Sequence, residues 1–166
     1  MPRVTAEVLA YFLTFRTYGT WLPGDVRGWV DRRRAAPGAP YEEPSARLED
    51  DGSQHMRAAP LVLTPAMRVA VASAVTEVCT YREWKLYASN IRTNHAHLVL
   101  WTPNEPERAM NDLKVWSTRR LRDEGLIAPN RPVWARHGST KTLTREESVA
   151  AACWYVVEGQ DTRGDG

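Results

Sequence analysis

The sequence predicts an α+β domain, a ferredoxin-like βαββαβ sandwich with an antiparallel sheet, a long loop insertion after strand one and a C-terminal helix. Apolar residues recur with strand-like and helix-like periods in the order strand, helix, strand, strand, helix, strand, helix. Only Thr93-Asn94 separates the second strand from the third, which is hairpin spacing. Start and stop residues bound the helices. With 166 residues the chain is expected to be a single domain over 1–166, able to bury a core without disulfides.

The first strand falls in residues 8–18, where Tyr11, Phe12, Leu13, Thr14 and Phe15 are aromatic, apolar or β-branched. Residues 19–60 are proline- and glycine-rich and include the acidic run Glu49-Asp50-Asp51, so they read as an irregular insertion. Thr64 is placed to cap a helix with Pro65 at its first position, and Met67, Val71, Ala74, Val75 and Val78 give that helix one apolar stripe up to Tyr81. Strands at 84–92 and 95–102 form the hairpin. The second helix runs from Glu105 to Asp123, packs Met110, Leu113, Trp116 and Leu121, and stops at Gly125. Val133–Arg136 and Ser139–Leu143 suit a final strand or a bent hairpin. Thr144-Arg145-Glu146-Glu147 reads as a capping box opening a last helix over 144–159, with Gly159 as its stop.

Composition narrows the function. Hydrophobic residues at 43% and charged residues at 25% are ordinary for a globular protein. A net charge of only +2 means that nucleic-acid binding would depend on local basic patches. Cys79 and Cys153 fall in helices without metal-ligand spacing and read as core residues in a reducing compartment. No stretch has the length of a membrane span, and the first residues lack signal-peptide character, so a cytoplasmic location is expected.

Asn94-His95-Ala96-His97 is the most informative segment. On a strand His95 and His97 share a face with Val99 and Trp101, while Ala96, Leu98 and Leu100 share the other. Two imidazoles on one rigid strand can share a metal ion, though the same pattern also suits a solvated face. If the first two helices cover the Ala/Leu face, the last helix is left for the histidine face. Its apolar stripe is Val149, Ala152, Cys153 and Val156, with Tyr155 on the flank. Tyr155 could present its hydroxyl over the sheet or simply pack a helix edge.

These residues come in the order of the single-tyrosine HUH transposases, including insertion-sequence and REP-associated tyrosine transposases. The chain resembles that family in the Tyr11–Arg16 strand, the histidine–hydrophobe–histidine motif, Trp134-Ala135-Arg136-His137-Gly138, and Tyr155 in a closing helix. The stretch from Tyr18 to Asp25 is similar to a subgroup with a long loop after the first strand. The resemblance implies a metal-dependent enzyme that cleaves and rejoins single-stranded or hairpin DNA through a 5′-phosphotyrosine intermediate. Tyr155 would be the nucleophile, and Mg²⁺ or Mn²⁺ would be held by His95, His97 and a third polar side chain.

In that family the third ligand usually lies four residues after the tyrosine, about 40° around the helix. Here that place is Gly159, which has no ligand atom. Gln160 is the expected replacement, with Glu158 as the alternative. In a regular helix Gln160 would stand about 140° from Tyr155. A left-handed Gly159 ending the helix, or a one-residue bulge, would return it.

Expected DNA contacts are Arg16, Thr17 and Trp21 at the end of strand one, Arg92 at the hairpin, Lys114, Arg119 and Arg120 on the second helix, and Arg136 and Lys141 before the last. His137 reads as a surface residue at a turn. A domesticated relative that binds single-stranded or hairpin nucleic acid without cutting is the alternative. A small zinc enzyme is disfavoured, because no other His, Cys or carboxylate has suitable spacing. The expected assembly is a monomer or homodimer.

Overall fold

The computed structural model describes residues 6–20 and 59–159. Most of the expected insertion, Trp21 and Gln160 therefore lie outside the described residues. Strand β1 is Ala10–Thr17, helix α1 Pro65–Tyr81, β2 Lys85–Ile91, β3 His95–Trp101, α2 Pro106–Asp123, β4 Trp134–Leu143 and α3 Glu146–Trp154. One π-helical turn, Tyr155–Gly159, extends α3. The sheet order is β2-β3-β1-β4 with every adjacent pair antiparallel, which is the predicted ferredoxin-like topology.

Register sorts the side chains. Leu13 opposes Leu98 and Phe15 opposes Ala96, placing these residues on one face. There they meet Val71, Val75 and Val78 of α1 and Leu113 and Leu121 of α2 in the large core. Phe12 opposes Val99, Thr14 opposes His97 and Arg16 opposes His95, all on the other face. That face carries a much smaller core of Ala10, Ala88, Val99, Leu143 and Val156, flanked by Phe12, Val149, Ala152 and Cys153.

Local signals explain the first two helices. Thr64 Oγ1 accepts the Met67 N–H at 3.2 Å, and Pro65 opens α1. Gly125 takes φ +68° just past the end of α2. The last helix departs from expectation. Its N-cap is Arg145 and no side chain caps it, so the predicted Thr144 capping box does not form. The cause is β4, which stays paired as far as Leu143 opposite Ala10, while the first helical bond runs from Val149 N–H to the Arg145 carbonyl. Gly159 is also not left-handed, because positive φ among the described glycines is confined to Gly19 and Gly125. The chain widens into the π turn instead.

The two predicted pieces between Val133 and Leu143 are one bulged strand. Phe15 opposes Gly138 but Thr17 opposes Trp134, so β4 carries two extra residues there. Lys114 Nζ donates to the Ala135 and His137 carbonyls, at 3.0 and 3.2 Å, which satisfies acceptors that the bulge takes out of the ladder. Trp134 turns into the large core against Phe15, and its indole N–H donates to Ser117 Oγ at 3.0 Å.

Gly138 is where β4 crosses both β1 and α2 most closely. A Cβ there would lie 2.5 Å from the Thr14 carbonyl oxygen and 2.6 Å from Met110 Sδ. Gly138→Ala should therefore destabilise the fold by about 1–3 kcal/mol, the usual cost of overpacking. Urea denaturation measures it, and an unchanged midpoint would contradict the close approach.

Candidate active site

His95 and His97 project from β3 onto the smaller core's face with ring centroids 4.6 Å apart. Each ring is held through Nδ1. His95 Nδ1 lies 2.7 Å from Asn94 Oδ1, and His97 Nδ1 lies 2.8 Å from Thr14 Oγ1. Asn94 Oδ1 can only accept, so His95 Nδ1 carries a proton and donates it to this oxygen. The Thr14 hydroxyl can accept in the same way from His97. Oxygen acceptors on the far nitrogens are the usual means of orienting ligating imidazoles.

His97 is only 8% exposed. Burial, then the nearby His95, Arg16 and Arg92, lowers its pKa from its ordinary value near 6.5 to about 4. The ring is therefore neutral at physiological pH, the form that binds metal.

Phe12, on β1 beside Thr14's face position, stacks on His97 at 5.5 Å and 17°. Tyr155 meets both rings edge-on, at 5.9 Å from His97 and 6.1 Å from Phe12, and is 38% exposed. The next residue, Val156, is fully buried in the small core, and its carbonyl accepts a hydrogen bond from Asn90 Nδ2 at 2.9 Å. Gly159 lies beneath the tyrosine. A Cβ on it would be 3.1 Å from Tyr155 Cδ2 and 3.3 Å from Trp154 Cζ3.

The expected site residues thus divide. Tyr155, His95 and His97 come together. Among the described residues no third His, Cys, Asp or Glu joins a group of three, and Glu158 is exposed, so the Glu158 alternative does not complete the pair. Gln160 lies outside the described residues.

The cations divide as well. Arg16 stands opposite His95 in β1, Arg92 precedes the hairpin turn opposite His95, and Lys141 opposes Phe12, so these three belong to the histidine side. Arg119 is exposed on α2, in the opposite layer. Arg120, on the same helix, is paired with Glu77 and Glu124. Lys114 is committed to the β4 carbonyls. Arg136 and His137 are exposed at the bulge and line a cleft of about 350 Å³ between α2 and β4 that includes neither His95 nor His97. Thr17 is fully buried, with its hydroxyl donating to the Leu61 carbonyl at 2.7 Å. It ties the chain together and presents no surface to DNA.

Thr14, Phe12 and Asn90 were not singled out from sequence. Alternation along β1 was the available signal for the first two, since both share a face with Arg16. Asn90 needed the β2–β3 register, which sets it opposite His97.

Residues 58–157 match the family model described as "Transposase IS200 like", more than half of the chain and inclusive of both histidines and Tyr155. The chain belongs to the IS200-like transposase family. Among solved structures, it is similar to a REP-associated tyrosine transposase bound to a REP hairpin, with 11% identity and a TM-score of 0.55. The likeness covers 99% of this chain and 75% of that one, and extends to the fold. A candidate transposase from Deinococcus radiodurans R1 is 18% identical over 96% of both chains, with a TM-score of 0.44. No curated protein matches the sequence significantly. No helix among the described residues is long and apolar enough to cross a membrane.

The His97 environment predicts a pH dependence for the metal-free protein. The unfolded chain takes up the proton near pH 6.5 and the folded chain only near 4, so between these values the unfolded state binds more protons. Stability should be full above 6.5 and fall as the pH drops towards 4. His97→Gln should flatten that part of a melting-temperature profile, and an equally steep profile in the variant would contradict the buried neutral ring.

Proposed function

We propose that this IS200-like transposase cleaves and rejoins single-stranded hairpin DNA through a 5′-phosphotyrosine intermediate, with Tyr155 as nucleophile and a divalent ion, Mg²⁺ or Mn²⁺, at His95 and His97. The observation that carries the reading is the tyrosine ring set 5.9 Å from a neutral histidine whose partner is 4.6 Å away. Two imidazoles set side by side, each oriented through Nδ1, form a nitrogen donor set that fits such an ion. When bound, the ion would supply positive charge against the oxygens of the scissile phosphate.

The protein's own residues do the rest. The Tyr155 oxygen attacks phosphorus as the bond to the 3′-oxygen breaks, leaving a 5′-phosphotyrosine and a 3′-hydroxyl. A phenol has a pKa of about 10 in water, so its reactivity at neutral pH depends on charge stabilisation and placement. One phosphodiester is exchanged for another, so a second 3′-hydroxyl can reverse the step without a high-energy cofactor. Arg16, Arg92 and Lys141 are suited to track phosphates on this face. The hairpin as substrate class is drawn from the similar transposase that holds a REP hairpin.

The π turn supports Gln160 as the third ligand. An α-helix carries a residue five positions on about 140° out of phase with Tyr155. The π turn over Tyr155–Gly159 is the kind of one-residue bulge that such a return requires, since i→i+5 winding takes in one extra residue. A side chain in place of Gly159 would press on the Tyr155 ring, 3.1 Å from its Cβ. A non-cleaving hairpin-binding module is the second reading, favoured by the absence of a third His, Cys, Asp or Glu among the described residues.

Incubation with Mn²⁺ and labelled hairpin single strands should yield a denaturation-resistant protein–DNA adduct that Tyr155→Phe and chelation both abolish. An adduct that survives Tyr155→Phe would overturn the nucleophile. Hairpin binding with no adduct across varied sequences would select the binding module. Gln160→Ala should slow adduct formation by on the order of 10-fold or more, while Glu158→Ala leaves it unchanged. The reverse pattern would refute the ligand assignment.

A further inference from the structure

We propose that Asn90 is the positioning residue of the nucleophile: one hydrogen bond from its side-chain amide to the Val156 carbonyl holds the π turn, and with it Tyr155, over the histidine pair. The inference rests on the reading of Tyr155 as the nucleophile.

The element that carries Tyr155 has few ties to the sheet. Helix α3 is nine residues long, lacks a side-chain cap and contains no buried residue. A helix so short has little stability of its own. Its attachment comes from partly buried Val149, Ala152 and Cys153 and from Val156, the one fully buried side chain of the small core's helical layer. Apolar contact of this kind is non-directional and permits sliding. Tyr155 itself touches the site only through ring edges, and its hydroxyl has no hydrogen-bond partner among the described residues.

The Asn90–Val156 bond supplies the missing direction. Asn90 opposes His97 in the β2–β3 register, so it stands on the histidine face one strand from the ring that Tyr155 approaches. Its Nδ2 reaches the Val156 carbonyl at 2.9 Å. The peptide just after the tyrosine is thereby fixed twice, by the buried Val156 side chain and by its carbonyl. The last carbonyls of a helix need partners outside it, and Asn90 supplies one for Val156. Because the partner is a carbonyl, the side chain at 90 has to be a donor. Reaction geometry is sensitive to displacements of about 1 Å, which can cost on the order of 100-fold in rate.

Asn90→Leu removes the donor with little change of size and no new charge beside the histidines. At saturating hairpin DNA it should lower the rate of adduct formation roughly 10- to 100-fold, with hairpin KM and Mn²⁺ affinity unchanged. Asn90→Gln, which keeps a donor, should recover part of the rate. Amide exchange should accelerate at 155–159 but not in β2 and β3. A wild-type rate in Asn90→Leu would overturn the proposal, as would a loss spread equally over rate, KM and Mn²⁺ binding, which marks general damage. If the wild-type protein forms no adduct, the proposed function fails, and exchange alone decides the anchor: unchanged exchange at 155–159 overturns it, and selective acceleration there sustains it.

Discussion

The pairing of β1 with β3 is the constraint on which the rest depends. With Phe15 opposite Ala96 and Thr14 opposite His97, each strand sends its apolar set towards α1 and α2 and its polar set towards the other layer. A slip by one residue would exchange the faces, burying two imidazoles under the helices and exposing Leu98 and Leu100. The large core thus fixes the active-site register. Its side chains lie on the opposite face from the histidines, yet they decide where the histidines point. The same register hands Thr14 to His97 Nδ1 and sets Phe12 beside it, while the β2–β3 register brings Asn90 to the other side of His97.

The two faces differ in what they can stabilise. One carries Leu13, Phe15, Leu98 and Leu100 against two long helices, enough apolar surface to dominate folding. The other carries small side chains and one short helical segment. That unequal division gives the family's chemistry a rigid floor and a lightly held wall. The histidines stand on the sheet, and the tyrosine stands on the short turn that extends a helix with no buried residue. A wall held by so little apolar surface depends on directional contacts to set its position.

Most of the fold was legible because its signals are local or periodic. Thr64-Pro65, Gly125 and the two-residue gap at Thr93-Asn94 act on their immediate surroundings, and alternation in His95–Trp101 needs only the pleat. The failures share one cause, which is a partner far away in sequence. Thr144 has the chemistry of a cap, but pairing of Leu143 with Ala10 keeps the strand going and moves the cap to Arg145. Lys114, Arg120 and Thr17 have side chains that suit DNA, yet they are committed to β4 carbonyls, to Glu77 and Glu124, and to the Leu61 carbonyl. Of these partners only Glu124, four residues on from Arg120, belongs to a local pattern. The site followed the same rule: His95, His97 and Tyr155 were readable as types at intervals, while Asn90 and Thr14 became visible only through register.

The cations nearest the histidines join the site's two proposed tasks. Arg16 and Arg92 help keep His97 neutral, since a proton there would add positive charge beside theirs. The same repulsion would oppose a divalent ion arriving alone at the imidazoles. A DNA phosphate on this face would bring negative charge beside the arginines and the ion together, which reverses the sign. Each ligand should then tighten the other, and by linkage the coupling is equal in both directions. Under the proposed chemistry the ion is held best when a phosphate lies in the groove, which confines strong metal binding to the moment when a strand is in reach of Tyr155.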